Sequence, residues 1–313
     1  MELQAALTEF ILDRRSYGRR PATIRFYETQ LGSLIAFLEK QGAGDVSSLT
    51  RSSLRVFFAH LQARVERSEI RSGTVAAYDR AIRAFTRFCV AERWLDVDPM
   101  AGRPRIKPDR QLPETWSLDE VQALLDTCND SPVGLRDRAI MMLLLDTGLR
   151  AGELVRLEPG DVHLGEDRGL VVVRAAGSKS HADRTVPFWT ETANVLSAWL
   201  EVRPEAADTV FVAVGGRATL TCRGLTPNGL NQLLRRRAAL AGVACKPRMC
   251  HIWRHTFARL YVSKGGDLQT LRLILGHASI ETTQVYLAFR NDEVWDRHFE
   301  LSPVRQLSDA MTR

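Results

Sequence analysis

A short basic, proline-rich stretch divides this chain: Gly102-Arg103-Pro104-Arg105-Ile106-Lys107-Pro108, just after Asp98-Pro99. Proline fixes φ and offers no backbone N–H, so a helix or a central strand cannot run through such a stretch. It reads as an extended linker. The 313 residues are enough for a domain on each side. The expected division is residues 1–101, a linker over 102–112, and residues 113–313.

Residues 1–100 read as a bundle of amphipathic helices. Ile24, Tyr27, Leu31, Leu34, Ile35 and Leu38 recur at three- and four-residue steps, one stripe of a helix. Val75, Tyr78, Ile82, Phe85 and Phe88 repeat that spacing, and Leu54, Phe57, Phe58 and Leu61 mark a helix between them. Gly42 and Gly44 break the first of these helices. Arg14, Arg15, Arg19, Arg20, Arg25, Arg80, Arg83 and Arg87 fall on the polar faces. Singly they are solvated arginines; together they favour a surface facing a phosphate backbone.

Beyond the linker, Ser117 and Glu120 form a capping-box signature. Residues 137–146 read as an apolar helix that stops at Gly148. Val171–Val173 and Arg184–Phe188 read as two strands flanking a loop. Helices are expected over 190–200, from Pro227, and over 254–263, 268–275 and 280–288. The fold class is mainly α (α+β): a helical bundle followed by a mostly helical domain with a small antiparallel β-sheet.

Net charge is +6 and the pI about 9.3, which suits a polyanionic partner. Arginine supplies nearly all of the positive charge, because lysine occurs only at 40, 107, 179, 246 and 264. The five cysteines are scattered and form no Cys-x-x-Cys pair, which argues against structural zinc. Their odd number and the lack of a signal peptide point to a reducing cytosol. No apolar run reaches the ~18 residues of a membrane span.

The chemistry concentrates in four places: Thr147-Gly148-Leu149-Arg150-Ala151-Gly152-Glu153-Leu154, His251-Ile252-Trp253-Arg254-His255, Leu275-Gly276-His277, and Tyr286. Two arginines can grip the non-bridging oxygens of a phosphate. Histidines donate hydrogen bonds or move protons near neutral pH. A tyrosine can be a nucleophile that becomes covalently attached. Each residue also has a plainer reading. Arg150 and Glu153 could be an ordinary i,i+3 pair. His277 could merely follow a helix stop, and Tyr78 and Tyr261, rival tyrosines by composition, sit on apolar helix faces.

In these motifs the chain resembles the tyrosine recombinases, also called the phage integrase family, which includes phage integrases and the Xer resolvases. Thr147–Leu154 matches the family's first arginine box, and His251–His255 its His-x-x-Arg-His box, with Trp253 where leucine is usual. Leu275-Gly276-His277 matches the Leu-Gly-His box, and Tyr286 follows it at the family's interval. Lys179, five residues before Arg184-Thr185-Val186-Pro187, resembles the family's β-hairpin lysine, without its glycine-rich flanks.

The resemblance implies a core-binding domain and a catalytic domain that together clamp duplex DNA. It implies Arg150 and Arg254 as phosphate clamps and Tyr286 as nucleophile. His251 is a base or hydrogen-bond donor, and His277 bonds the scissile phosphate. Lys179 is the general acid, or else a plain DNA contact, and Glu153 supports the site by orienting Arg150 or His251. Trp253 is expected to alter packing and leave the chemistry intact, and His255 is read as structural, on another side of the helix. Arg103, Arg105 and Lys107 in the linker are expected to contact DNA.

The implied reaction makes a 3′-phosphotyrosyl bond with no metal and no cofactor. The implied partners are double-stranded DNA carrying inverted-repeat sites, three further copies in a homotetramer, and a possible second recombinase or accessory factor. The implied location is cytoplasmic, on the nucleoid. A helix near Val294, Trp295 and Phe299 would dock on a neighbouring protomer or on its own domain. A type IB-like topoisomerase and a non-catalytic DNA-binding protein are the competing classes. The intact arginine and tyrosine set argues against the second.

Overall fold

The computed structural model describes residues 1–107, 112–165, 168–175, 183–246 and 248–290. Lys179 and the Val294–Phe299 segment lie outside them. The chain forms two compact units, Met1–Gln111 and Leu112–Arg313.

The first unit is four helices: α1 (Leu3–Ser16), α2 (Pro21–Glu39), α3 (Arg51–Glu66) and α4 (Ser72–Ala91). Pro21 opens α2 where its missing N–H costs nothing, and Thr50 caps α3 through the backbone N–H of Ser53. The stripe Ile24, Leu31, Leu34, Ile35 and Leu38 is buried, as are Val75, Ile82 and Phe85 of α4. Phe10 of α1 is the hub, meeting Tyr27, Phe85 and Phe88 edge-on at 5.0–5.5 Å between ring centroids. Tyr78 is core, and its hydroxyl bonds Ser33 Oγ at 3.1 Å.

Arg83 departs from the expected polar face. It pairs with the buried Asp79 at 2.9 Å and donates to the carbonyls of Met100, Arg103 and Pro104, strapping the start of the linker onto α4. Its donors are spent inside the unit. Arg103 likewise lies over the Phe58 ring at 4.0 Å. Arg105 and Lys107 are exposed.

The second unit is built around α6 (Pro132–Thr147), which follows α5 (Leu118–Asp126) and precedes the short α7 (Ala151–Leu154). Ser117 and Glu120 form the expected capping box of α5. Helix α6 starts earlier than its apolar run, because Ser131 caps it and Pro132 takes the first position. It stops at Gly148 with φ +59, where an added Cβ would lie 2.5 Å from the Phe257 ring. The three-stranded antiparallel sheet is β1 (Val162–Leu164), β2 (Arg168–Val173) and β3 (Arg184–Trp189), with Val171 opposite Val186 and Val173 opposite Arg184. Then come α8 (Thr190–Val202), the strand pair β4 (Val212–Val214) and β5 (Leu220–Gly224), and α9 (Pro227–Leu240). Strands β1 and β4 are three residues each, too short for an alternating pattern to announce them.

Helix α10 (Met249–Ser263) begins five residues before the expected 254, so the whole His251–His255 box is helical. Trp253 is fully buried in the main core, in keeping with a packing role. Next are α11 (Leu268–Leu275) and α12 (Glu281–Gln284). The expected single helix over 280–288 is instead α12 followed by a 3-10 turn, Val285–Arg290, that carries Tyr286. Inside the unit, Asp137 accepts from Arg136 at 2.6 Å and from Arg237 at 2.7 Å, all three buried. Those arginines also donate to the carbonyls of Val212 and Thr127, so one buried carboxylate ties α6 and α9 to β4 and the end of α5.

Candidate active site

Residues far apart in the chain meet where the ends of α6 and α11 approach α10. The Gly148 stop turns the backbone so that Arg150 becomes the N-cap of α7. Its guanidinium, 39% exposed, bonds Glu153 Oε1 at 2.9 Å and the Gly276 carbonyl at 3.1 Å. Arg254 is buried, and it donates to the carbonyls of Gly148 at 2.7 Å and Leu275 at 2.6 Å. The last carbonyls of a helix lack partners within it and carry partial negative charge, which makes them natural holders for guanidinium.

Glu153 makes no hydrogen bond to His251. Its carboxylate accepts from the Arg150 backbone N–H at 2.8 Å and from Arg184 at 2.7 and 3.1 Å. Burial alone would raise its pKa, but the hydrogen bonds and charges of Arg184, then Arg150, prevail and hold it down to about 2. Arg184, at the start of β3, also donates to the Ile274 carbonyl at 2.8 Å. Its guanidinium fills the space beside Gly276, where an added Cβ would come within 3.0 Å. The glycine of the Leu-Gly-His box thus has two duties: a left-handed φ of +61 and room for Arg184.

His277 Nδ1 pairs with Thr283 Oγ1 at 2.9 Å, and Thr283 is fully buried on α12. Burial, then the positive charges of Arg254, Arg150 and Arg184, push the His277 pKa down to about 4. His251 sits at the solvent-facing edge of the site. Desolvation of its ring, then Arg248 and Arg254, lower its pKa. Burial, then the like charge of Arg150, lower that of Arg254, which stays cationic at neutral pH.

Tyr286 is 2% exposed, and its hydroxyl lies 2.7 Å from His255 Nδ1. Burial pushes the phenol up to about 12, against the downward pull of Arg254 and Arg150. The placing of His255 on another side of the helix from His251 does not hold. Residues four apart share a helix face, and the rings of His251 and His255 stand 6.2 Å apart.

The described site thus unites Arg150, Glu153, Arg254, His277 and Tyr286, with His251 at its edge. Arg184, Thr283 and His255 belong to it and were given no part in the site from the sequence. The i,i+4 spacing of the two histidines was the available signal for His255. Arg103, Arg105 and Lys107 belong to the first unit. Among the described residues, no three His, Cys, Asp or Glu side chains gather into a metal-binding group. None of the described helices is long and apolar enough to cross a membrane.

Residues 115–293 match the model of the phage integrase family. The tyrosine recombinase XerD of Listeria monocytogenes serotype 4b (strain F2365) is 34% identical over 278 residues, covering 86% of this chain and 88% of that protein. XerC of Pseudomonas aeruginosa (strain LESB58) is 34% identical over 291 residues, covering 91% of this chain and 90% of its own. Among solved structures, the XerH recombinase bound to palindromic difH substrate matches with a TM-score of 0.69 at 20% identity, covering 88% of this chain and 79% of that one. A lambda integrase dimer bound to a COC′ core site gives 0.70 at 16% identity, covering 93% and 78%. These last two likenesses speak to the fold. The chain belongs to the phage integrase, or tyrosine recombinase, family, and within it is Xer-like.

Proposed function

We propose that this protein is a site-specific recombinase that cuts and rejoins duplex DNA through a 3′-phosphotyrosyl intermediate. The observation that carries the reading is the convergence of Arg150, Arg254 and Tyr286, 104 and 32 residues apart in sequence (254 − 150 and 286 − 254), on the facing ends of α6 and α11. Arg150 and Arg254 bind the non-bridging oxygens of the scissile phosphate, and their orientation is set before DNA arrives by backbone carbonyls and Glu153. Tyr286 Oη attacks phosphorus as its proton passes to His251, and the P–O5′ bond breaks. Lys179 gives the leaving 5′-oxygen its proton; an unperturbed lysine, pKa about 10.4, holds one at neutral pH. His251 and His277 donate hydrogen bonds to the negative charge that builds on the phosphoryl oxygens. One phosphodiester replaces another, so a new 5′-hydroxyl can reverse the step without ATP or a metal.

In this reading the first unit is the core-binding domain and the second the catalytic domain. The linker residues Arg103, Arg105 and Lys107 meet the DNA backbone, with Arg105 and Lys107 the freer of the three. Paired sites of inverted repeats hold a tetramer, with or without a second recombinase or accessory factor. Support comes from the similar proteins crystallised on DNA substrates.

The test is to denature host cells, recover protein–DNA adducts and sequence the attached DNA. Wild type is expected to give adducts at one short inverted-repeat site, and Tyr286→Phe none. Adducts scattered without sequence preference would instead mark a topoisomerase, and none from either protein would mark a DNA binder without cleavage chemistry.

A further inference from the structure

The contact between Tyr286 and His255 falls outside the roles assigned above. It joins the turn after α12 to the helix that carries Arg254, and it is one of the shorter side-chain bonds in the second unit, 2.7 Å. His255 immediately follows Arg254, so one rigid helix sets both the second guanidinium and the partner of the phenol. By contrast, His251 is presented at the solvent-facing edge, and its ring centroid is 6.2 Å from that of His255. The Tyr286 ring, centred 5.8 Å from His255, packs in a small cluster with Ala258, Val262, Leu271 and Leu275. Apolar packing fixes the ring's plane there but cannot choose a direction for the hydroxyl.

We infer that His255 is a positioning residue for the nucleophile: its Nδ1 accepts the Tyr286 hydroxyl and aims the phenol oxygen beside Arg254 and Arg150. The inference rests on the proposed phosphotyrosyl chemistry. Its physical basis is donor–acceptor complementarity. Burial, then the charges of His251 and Arg254, push His255 down to about 4, so its imidazole is neutral at physiological pH. The phenol keeps its proton, with its own pKa up to about 12. A neutral imidazole has one acceptor nitrogen, and using Nδ1 for the phenol leaves the ring proton on Nε2. Without that acceptor the phenol loses its polar tether to α10. A misplacement of about 1 Å at a reacting atom costs on the order of 10²-fold in rate.

Two measurements test this. The first uses ¹⁵N-histidine-labelled full-length protein without DNA. His255 Nδ1 is expected to show the shift of an unprotonated, hydrogen-bonded nitrogen, and that signature is expected to vanish in Tyr286→Phe. A protonated Nδ1, or a signal indifferent to Tyr286→Phe, overturns the inference. The second follows single-turnover cleavage of a nicked duplex carrying the site recovered from adducts. His255→Ala is expected to cleave on the order of 10²-fold more slowly at unchanged DNA affinity. His255→Asn, whose side-chain oxygen lies near the place of Nδ1, is expected to recover most of the rate. Alanine cleaving at or above the wild-type rate, or asparagine as slow as alanine, refutes the role of the hydrogen bond. Adducts that persist in Tyr286→Phe would remove the phosphotyrosyl reading itself, an outcome separate from either of these.

Discussion

The two units bury charge on different principles. Among the described residues of the first, the buried charge is Asp79, with Arg83 laid against it, while the rest of the core is apolar apart from Thr86 and is hubbed on Phe10. The second unit buries Arg136, Asp137 and Arg237 in one brace and Arg254 at the site. A desolvated charge is unfavourable unless good geometry and further hydrogen bonds offset it. In the brace both arginines bond the one carboxylate of Asp137 and backbone carbonyls besides. Arg254 is held by two carbonyls, and after burial the strongest charge acting on it is the like charge of Arg150, ahead of the opposite charge of Glu153. The brace is thus complete within the protein. The site retains positive charge that an incoming phosphate would balance.

The contrast is broken or sharpened by variants in each unit. The largest effect is expected from Asp137→Ala, which strands two buried arginines and should lower unfolding free energy by about 3–5 kcal/mol in urea titration. Asp79→Ala should cost visibly less, because the carbonyls of Met100, Arg103 and Pro104 still hold Arg83. Equal losses would erase the distinction between the units.

At the site, Arg150→Ala and Arg254→Ala should each slow cleavage by ~10²–10³-fold. Only the second should also lower the melting temperature measurably, because Arg150 is 39% exposed and Arg254 is 4% exposed. Acid sharpens the comparison next. The folded pKa values of His255 and His277, about 4, lie below the usual 6.5, so the unfolded chain binds more protons between those values. Stability of the second unit is expected to fall as pH drops from 6.5 toward 4. A further loss should follow below 4.5 as Glu153, held at about 2, takes up its proton. Hydrogen exchange along the full chain, compared between wild type and a His255→Asn, His277→Asn double variant, reads this directly. An identical acid response in the two would refute the assignment. The smallest effect is expected from Lys107→Ala, which should reduce the salt dependence of DNA binding by about one unit of slope while sparing sequence preference.

Much of this was legible in the chain. The stripes of α2 and α4 declared themselves by three- and four-residue spacing, because each packs one face against a single core. The glycine stop at 148, the capping box at 117 and the helix start at Pro227 are local chemistry, which sequence carries well. The missed features are non-local. Nothing near Arg184 says that it meets Glu153, 31 residues earlier, or the carbonyl of Ile274, 90 residues later. Nothing near Arg136 and Asp137 announces their partner Arg237, 100 residues on from Asp137. His255 is different: its i,i+4 spacing from His251 overlaps the i,i+3 spacing of His251 and Arg254, and both fall on one stretch of the same helix.

The end of α11 carries a consequence for how this unit assembles. The helix has eight residues, a length at which an isolated helix is marginal in water. Its carbonyls at 274, 275 and 276 are claimed by arginines from β3, α10 and α7. Its final turn therefore gains its hydrogen-bond partners only as those three elements come into place. Folding there acts as a logical conjunction. A nascent or damaged chain lacking any one of the three arginines leaves the helix end to fray, and the segment bearing His277 and Tyr286 loses its footing with it. An arrangement with Tyr286 in place while Arg150 and Arg254 are not is thereby disfavoured.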